Sequence, residues 1–247
     1  MIRAVILDLD GTIIGPGEEI SPAVLLAVTG LAARVPVCIA TGREAADVIR
    51  YARQLQLTAP QICDGGATIL DPASTDILWR SPLGPENARK VVERLKILDT
   101  AFIATFPQGS TKDFNRLPHW DLTRISALDL TESMAGELAG WFSGGESIQT
   151  VKAYLPYNGL WAVDFTHRGV DKGTAAARLA RLIDVTTQEI AAAGDSFNDL
   201  ALLRACGLAI AMGNAAPEVK EIADHVAPSV ENDGLSIAIE GFLLPRL

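Results

Sequence analysis

Cysteine and histidine are scarce in this 247-residue sequence, with three of each. Cys38, Cys63 and Cys206 form no closely spaced pair, and His119, His167 and His225 share no ligand spacing. That excludes a disulfide scaffold and a thiolate or imidazole zinc centre, and it reads as buried thiols in a reducing compartment. Positive charge is also short: 21 Lys and Arg against 30 Asp and Glu leave a formal charge of −9. With no Lys/Arg-rich run, no nucleic acid and no anionic membrane surface is expected as a partner. Long apolar runs are missing, since Ile2–Leu7 and Val35–Ala40 fall far short of a membrane span. Asp8 and Asp10 interrupt the apolar stretch after Arg3, so no secretory signal is expected and a cytoplasmic location fits. Aromatics make up only 6% of the chain, yet 49% is hydrophobic. The core is therefore mostly aliphatic and large enough for one big domain or a domain with an insert.

What is present is an alternation of short aliphatic runs and helical periods. Ile2–Leu7 reads as a strand buried on both faces and ends in an acidic, glycine-containing turn. Pro22–Arg34 is helical, with Ser21 as N-cap and Pro22 at the first helical position. Val35–Ala40 is a second strand closed by Thr41-Gly42-Arg43, Glu44–Leu57 a second helix, and Gln61–Cys63 a third strand before Asp64-Gly65-Gly66. This order predicts a Rossmann-like α/β core with a parallel sheet.

The pattern breaks near Ser81. Glu86–Leu98 and Glu132–Phe142 read as helices, Ala101–Phe106, Gln149–Leu155 and Leu160–Thr166 as strands, and Pro156-Tyr157-Asn158-Gly159 as a hairpin turn. These elements predict an α+β domain over 82–167, inserted into a core of 1–81 and 168–247, with hinges near Ser81–Pro85 and Thr166–Gly169. Alternation resumes with a helix over Lys172–Ile183, a strand over Glu189–Ala193 and a turn at Gly194-Asp195-Ser196. Beyond it come the helix Asn198–Ala205, the strand Leu208–Met212, the helix Pro217–Ala223, a short strand at His225–Ala227 and a last helix over Gly234–Phe242.

The strand ends carry the chemistry. Asp8 and Asp10, two apart on an extended segment, project to one side. Ligands of open α/β sheets bind at the carboxyl ends of the strands, where Thr41-Gly42-Arg43, Asp64-Gly65-Gly66 and Gly194–Asp199 also fall. Carboxylates gathered there repel one another unless a cation joins them. An all-oxygen set without His or Cys points to magnesium. Singly, each motif has an ordinary explanation: Asp-x-Asp as turn chemistry, Thr-Gly as a cap, Lys172 as a surface lysine. In sequence order they make one constellation.

That constellation resembles the haloacid dehalogenase-like hydrolase superfamily. Asp8-Leu9-Asp10-Gly11-Thr12 is similar to its first motif, Ala40-Thr41-Gly42-Arg43 to the second, Lys172-Gly173 to the third and Gly194–Asp199 to the fourth. An insert between the second and third motifs is similar to the type IIB, Cof-like branch with its α/β cap. The resemblance implies a magnesium-dependent phosphatase hydrolysing a small phosphate monoester, such as a sugar phosphate or a phosphoglycolate-like ester. Asp8 is then the nucleophile that forms an aspartyl-phosphate, and Asp10 the acid and base. An ordinary aspartate pKa of about 3.9 has Asp8 ionised at neutral pH. The resemblance gives Mg2+ to Asp8, Asp195 and the backbone carbonyl of Asp10, and the substrate phosphate to Thr41, Gly42, Lys172 and Asn198. Thr41 and Gly42 are expected at a helix N-terminus, and Asp199 behind the site, on Lys172 or on a metal-bound water. The partner is a small phosphorylated metabolite, met by a monomer or homodimer.

Gly65 departs from the superfamily pattern, which has asparagine there, and this bears on substrate choice. Trp79, Trp120, Trp141 and Trp161 are expected to pack the insert and its hinge, with His119-Trp120-Asp121 as a polar-aromatic cluster toward the substrate. A phosphomutase on the same scaffold is the rival function. It would need clustered cations in the insert, whereas Arg80, Arg89, Lys90, Arg94, Lys96, Lys112, Arg116, Arg124 and Lys152 are scattered. A signalling receiver, the rival from another class, is about half this length and has no insert.

Overall fold

The structure is a computed structural model, and it describes residues 1–142, 147–155 and 158–247. The chain divides into two compact units, Met1–Leu78 with Asp171–Leu247, and Trp79–Val170. Among the described residues no helix is long and apolar enough to cross a membrane.

The first unit opens with β1 (Ala4–Leu7), α1 (Pro22–Ala32), β2 (Val37–Ile39), α2 (Ala45–Gln54) and β3 (Gln61–Cys63). The Ser21 side chain caps α1 by accepting from Val24 N at 3.2 Å, with Pro22 in the first turn, as its sequence predicts. Next come two strands not expected from the sequence, β4 (Thr68–Leu70) and β5 (Ile77–Arg80), which form a three-stranded sheet with β3 in the order β3-β4-β5. The reversal from β3 to β4 runs through Asp64, Gly65 and Gly66, all at positive φ (53°, 67° and 103°).

The second unit contains α3 (Pro85–Ile97), β6 (Phe102–Phe106), β7 (Gly109–Thr111), β8 (Arg124–Leu130), α4 (Glu132–Phe142), β9 (Ile148–Leu155) and β10 (Leu160–His167). Its antiparallel sheet runs β7-β6-β8-β10-β9. Val91, Val92 and Leu95 of α3 join Phe102, Ile125, Val163 and Phe165 in one apolar core. The strand β8, the central one of this sheet, was not expected from the sequence. Its Arg124 and Ser126 are buried and both donate to Asp164 on β10, Arg124 at 2.9 Å. The expected turn at 156–159 lies partly outside the described residues. Trp120 and Trp161 pack against this core, but Trp141 is 62% exposed, with the Arg94 guanidinium over its ring. His119 contacts Gln108 and Phe106, and Asp121 takes a fork from Arg80, so this cluster is held by neighbours in its own unit.

The first unit resumes with α5 (Lys172–Leu182), β11 (Ile190–Gly194), α6 (Leu200–Ala205), β12 (Leu208–Ala211), α7 (Pro217–Glu221), β13 (His225–Val226) and α8 (Gly234–Ala238). The helix expected to run to Phe242 widens into a π turn from Ile239. The parallel sheet has the order β13-β12-β11-β1-β2. Val5 and Leu7 join α1 and α8 in the main apolar cluster, while the alternate residues Ala4 and Ile6 are equally buried. Both faces of β1 are thus covered, which is why its sequence is a continuous apolar run. None of the three cysteines forms a disulfide among the described residues, all three are buried, and burial pushes the Cys38 and Cys206 thiols up to about 12.

Candidate active site

Register brings the motifs to one edge. Leu7 pairs with Ala193 on one side and Ile39 on the other. The residues just beyond, Asp8, Asp195 and Thr41, therefore leave the parallel sheet at the same end. Asp8 and Asp199 are buried and Asp195 is half-buried, and an oxygen of each lies within 4.8 Å of the others.

Lys172 is the cation among them. Its Nζ, 2% exposed, donates to Asp8 Oδ1 at 2.5 Å and to Asp199 Oδ1 at 2.6 Å. The start of α5 is built to put it there. Asp171 caps the helix by accepting from Thr174 N at 2.7 Å, and the Thr174 hydroxyl accepts from Asp171 N at 3.0 Å. Gly66, at φ +103°, lies so close that a Cβ on it would strike the carbonyl of Asp171. The other oxygen of Asp199 accepts from the amides of Asp195 and Ser196 at 3.1 and 3.0 Å. Asp199 therefore ties the fourth motif to Lys172.

Burial reverses one expectation. Asp8 is held well above the usual carboxylate range, first by burial, then by Asp199, with Lys172 pulling the other way. Asp195 is pushed up to about 7 by burial and Asp199. Lys172 is held above its ordinary value because Asp199 and Asp8 more than offset the burial that opposes its charge. Asp8 is thus not an ordinary aspartate that ionises freely; its charge depends on the cations around it. Three carboxylates to one ammonium leave a deficit of positive charge. Asp195 Oδ1 is buried without a hydrogen-bond partner, although its other oxygen accepts from Asn214 at 2.9 Å. An orphaned carboxylate oxygen beside a second buried carboxylate fits a hard divalent cation.

The remaining predicted residues are placed differently. The carboxylate of Asp10 lies outside the three-carboxylate group and is gripped by Arg43. Thr41 and Gly42 precede α2, whose N-cap is Glu44, so they occupy a turn rather than the first turn of the helix. The Thr41 hydroxyl oxygen accepts from Arg43 N at 3.1 Å, which leaves its proton to donate. Asn198 accepts the Ser196 hydroxyl on its side-chain oxygen at 2.7 Å, leaving its amide nitrogen as the donor end. Sequence reasoning missed Asn214, which donates to both the carbonyl of Gly11 and Asp195 Oδ2 at 2.9 Å. It stands just past the end of β12, and the same strand-end rule would have found it. Gly11, at φ +85°, packs so tightly that a Cβ there would strike the Asp195 carboxylate.

The profile of the haloacid dehalogenase-like hydrolases matches residues 5–114 and 147–239. A 5-amino-6-(5-phospho-D-ribitylamino)uracil phosphatase of Bacillus subtilis is 25% identical over 253 residues, covering 98% of this chain and 96% of its own. A phosphoglycolate phosphatase of Methanothermobacter thermautotrophicus is 25% identical over 243 residues, covering 98% and 99%. Among solved structures, a subclass IIB sugar phosphatase of the superfamily superposes with a TM-score of 0.82 at 19% identity, covering 98% of this chain and 99% of its own.

Proposed function

Because this chain belongs to the haloacid dehalogenase-like hydrolases and is a phosphatase among them, we propose that it hydrolyses a small phosphate monoester through an aspartyl-phosphate on Asp8 with Mg2+ as cofactor. The observation that carries this reading is the buried Asp8–Lys172–Asp199 chain with Asp195 beside it. A buried carboxylate held by a lysine is a nucleophile whose charge depends on the cations gathered around it.

Asp8 attacks phosphorus and forms the Asp8–phosphoryl bond as the ester P–O bond breaks, while Asp10 gives its proton to the leaving oxygen. Asp10 then takes a proton from the water that attacks the phosphoryl group, which frees Asp8 and inorganic phosphate. The equatorial oxygens carry the transition-state charge, and Lys172, the Thr41 hydroxyl, the Gly42 amide and the Asn198 amide are the donors to them. Asp8, Asp195 and the backbone carbonyl of Asp10 are the groups that would hold Mg2+, which when bound would supply the positive charge that one lysine cannot. The relatives are named for different phosphate esters, and a sugar phosphate or a phosphoglycolate-like ester is the class proposed for this chain. Several cations of the inserted unit are engaged singly by neighbours: Arg80 by Asp121, Lys90 by Glu86, Arg124 by Asp164, and Arg89 over Trp120. This favours hydrolysis over a mutase.

The test is inorganic phosphate release from sugar phosphates, phosphoglycolate, pyridoxal phosphate, nucleotides and p-nitrophenyl phosphate, with Mg2+ and with EDTA. Release in Mg2+ that EDTA silences supports the reading. Undiminished release in chelator removes the metal, and silence across all esters removes the phosphatase.

A second measurement separates ligand binding from turnover. In chelator, Asp195 and Asp8 hold protons in the native state at pH values where the unfolded chain, near 4, has lost them. Native protein then binds more protons than unfolded between about pH 4 and 7, so its stability falls as pH rises through that window. A cation replacing those protons stabilises most above pH 7. Mg2+ at about 100 times its Kd adds about 2.7 kcal/mol, or roughly 5–10 °C in Tm for a chain of this size. Calorimetry should find that shift at pH 8 and little of it at pH 5. A shift equal at both pH values would take Asp8 and Asp195 out of the metal site.

A further inference from the structure

Asp10 is held by Arg43, a residue of the second motif to which no role has been given above. Arg43 Nε donates to Asp10 Oδ1 at 3.2 Å and to Oδ2 at 3.0 Å, and Arg43 Nη2 donates to Oδ1 at 2.6 Å. The two oxygens are therefore unequal. Oδ1 takes two bonds, one of them short, and Oδ2 takes a single longer one.

Arg43 is itself braced. Its Nη2 also donates to Glu18 Oε1 at 2.7 Å, and its Nη1 lies 3.8 Å from Asp47 Oδ2. Glu18 is a non-glycine residue at φ 58°. Its backbone is fixed there by Glu18 N donating to the carbonyl of Gly15 at 3.0 Å and by the buried Tyr51, whose hydroxyl donates to the Glu18 carbonyl at 3.0 Å. A left-handed glutamate secured at both ends is a costly conformation that local contacts must maintain. Here it delivers a carboxylate to a guanidinium that is only 20% exposed, although Glu18 itself is 59% exposed.

We propose that Arg43, braced by Glu18, is the positioning residue that fixes the Asp10 carboxylate, occupying Oδ1 so that Oδ2 is the oxygen that exchanges protons with the leaving group and the water. This rests on the reading of Asp10 as acid and base. The proton leaves Oδ2 for the ester oxygen as the P–O bond breaks, and Oδ2 regains one from water as the phosphoryl–Asp8 bond breaks. A planar guanidinium offers the two-pronged grip this requires, and the point charge of a lysine does not.

The leaving group provides the test. A p-nitrophenolate departs without a proton, whereas the alkoxide of a sugar phosphate or of phosphoglycolate needs one. For Arg43→Met, kcat/KM, which reports the steps up to phosphoenzyme formation, should fall about 100-fold on the best alkyl ester and at most about threefold on p-nitrophenyl phosphate. The kcat on both esters should fall, because water activation is also impaired, and p-nitrophenolate should appear in a burst. Arg43→Lys should behave nearly as badly as Arg43→Met. Glu18→Gln, exposed and one contact removed from Asp10, should show the same split at about a tenth of the size, which keeps the test open should Arg43 variants fold poorly. Equal losses of kcat/KM on both esters, a rise in KM alone, or no loss would each overturn the proposal. Wild-type release that Asp8→Asn abolishes tests the phosphatase reading separately from it.

Discussion

Asp8→Asn is expected to lower phosphate release by at least about 10⁴-fold while leaving the metal-free protein as stable as wild type or more so. The two halves of this expectation share one cause. Asp8 is buried beside Asp199 and Asp195, and its carboxylate is disfavoured there, with Lys172 alone opposing. An amide keeps the shape and an oxygen to accept from Lys172, but it brings no charge into the apolar edge of β1. It also cannot open a stable covalent path to phosphorus. Phosphate release and thermal unfolding in EDTA should thus move apart, activity falling to background and Tm holding or rising. Magnesium should raise the Tm of the variant less than that of wild type. A variant that retains turnover would remove Asp8 as the nucleophile. One that unfolds far below wild type in chelator would show that the carboxylate charge supports the fold, contrary to its environment.

Lys172→Met has the opposite signature. Lys172 is the cation shared by Asp8 and Asp199, both buried with it. Removing one partner of a buried ion network leaves uncompensated charge and costs about 3–5 kcal/mol. For a chain of this size that is a Tm fall of roughly 6–20 °C. The loss should be largest at pH 8 in chelator. It should shrink toward pH 5, where Asp8 and Asp195, both raised, take up protons in place of the missing cation. Magnesium should restore part of the stability but little of the activity, because a fixed donor to the phosphoryl oxygens is worth about 10²–10³ in kcat. A Tm equal to wild type at pH 8 in EDTA would mean that the carboxylates do not need Lys172.

The order of residues alone was enough to bring the motifs to one edge of the sheet. Continuous apolar runs at Ala4–Leu7 and Ile190–Gly194 specify strands covered on both faces, and the polar residues that end them lie at the carboxyl edge of a parallel sheet. Capping signals are equally local. Ser21-Pro22 at α1 acts within one turn of chain and was read from the sequence, whereas Asp171 with Thr174 at α5, equally local, was seen only in the structure. Whatever depends on partners far away along the chain was settled only by folding. The strand at Arg124–Leu130 is hidden by an arginine and two acidic or hydroxyl neighbours, and it is compatible with burial only because Asp164 stands 40 residues on. Gly66 can be read as a turn residue, but its closeness to Asp171 is a matter of packing. The charge state of Asp8 depends on exclusion of water and on a lysine 164 positions away. The grip of Arg43 on Asp10 spans 33 residues, and Glu18, which also meets Arg43, is itself reached by Tyr51 from 33 residues away. Periodicity and turn chemistry act over a few residues and leave a trace in the sequence, while desolvation and ion pairing act through space and leave none until the chain has folded.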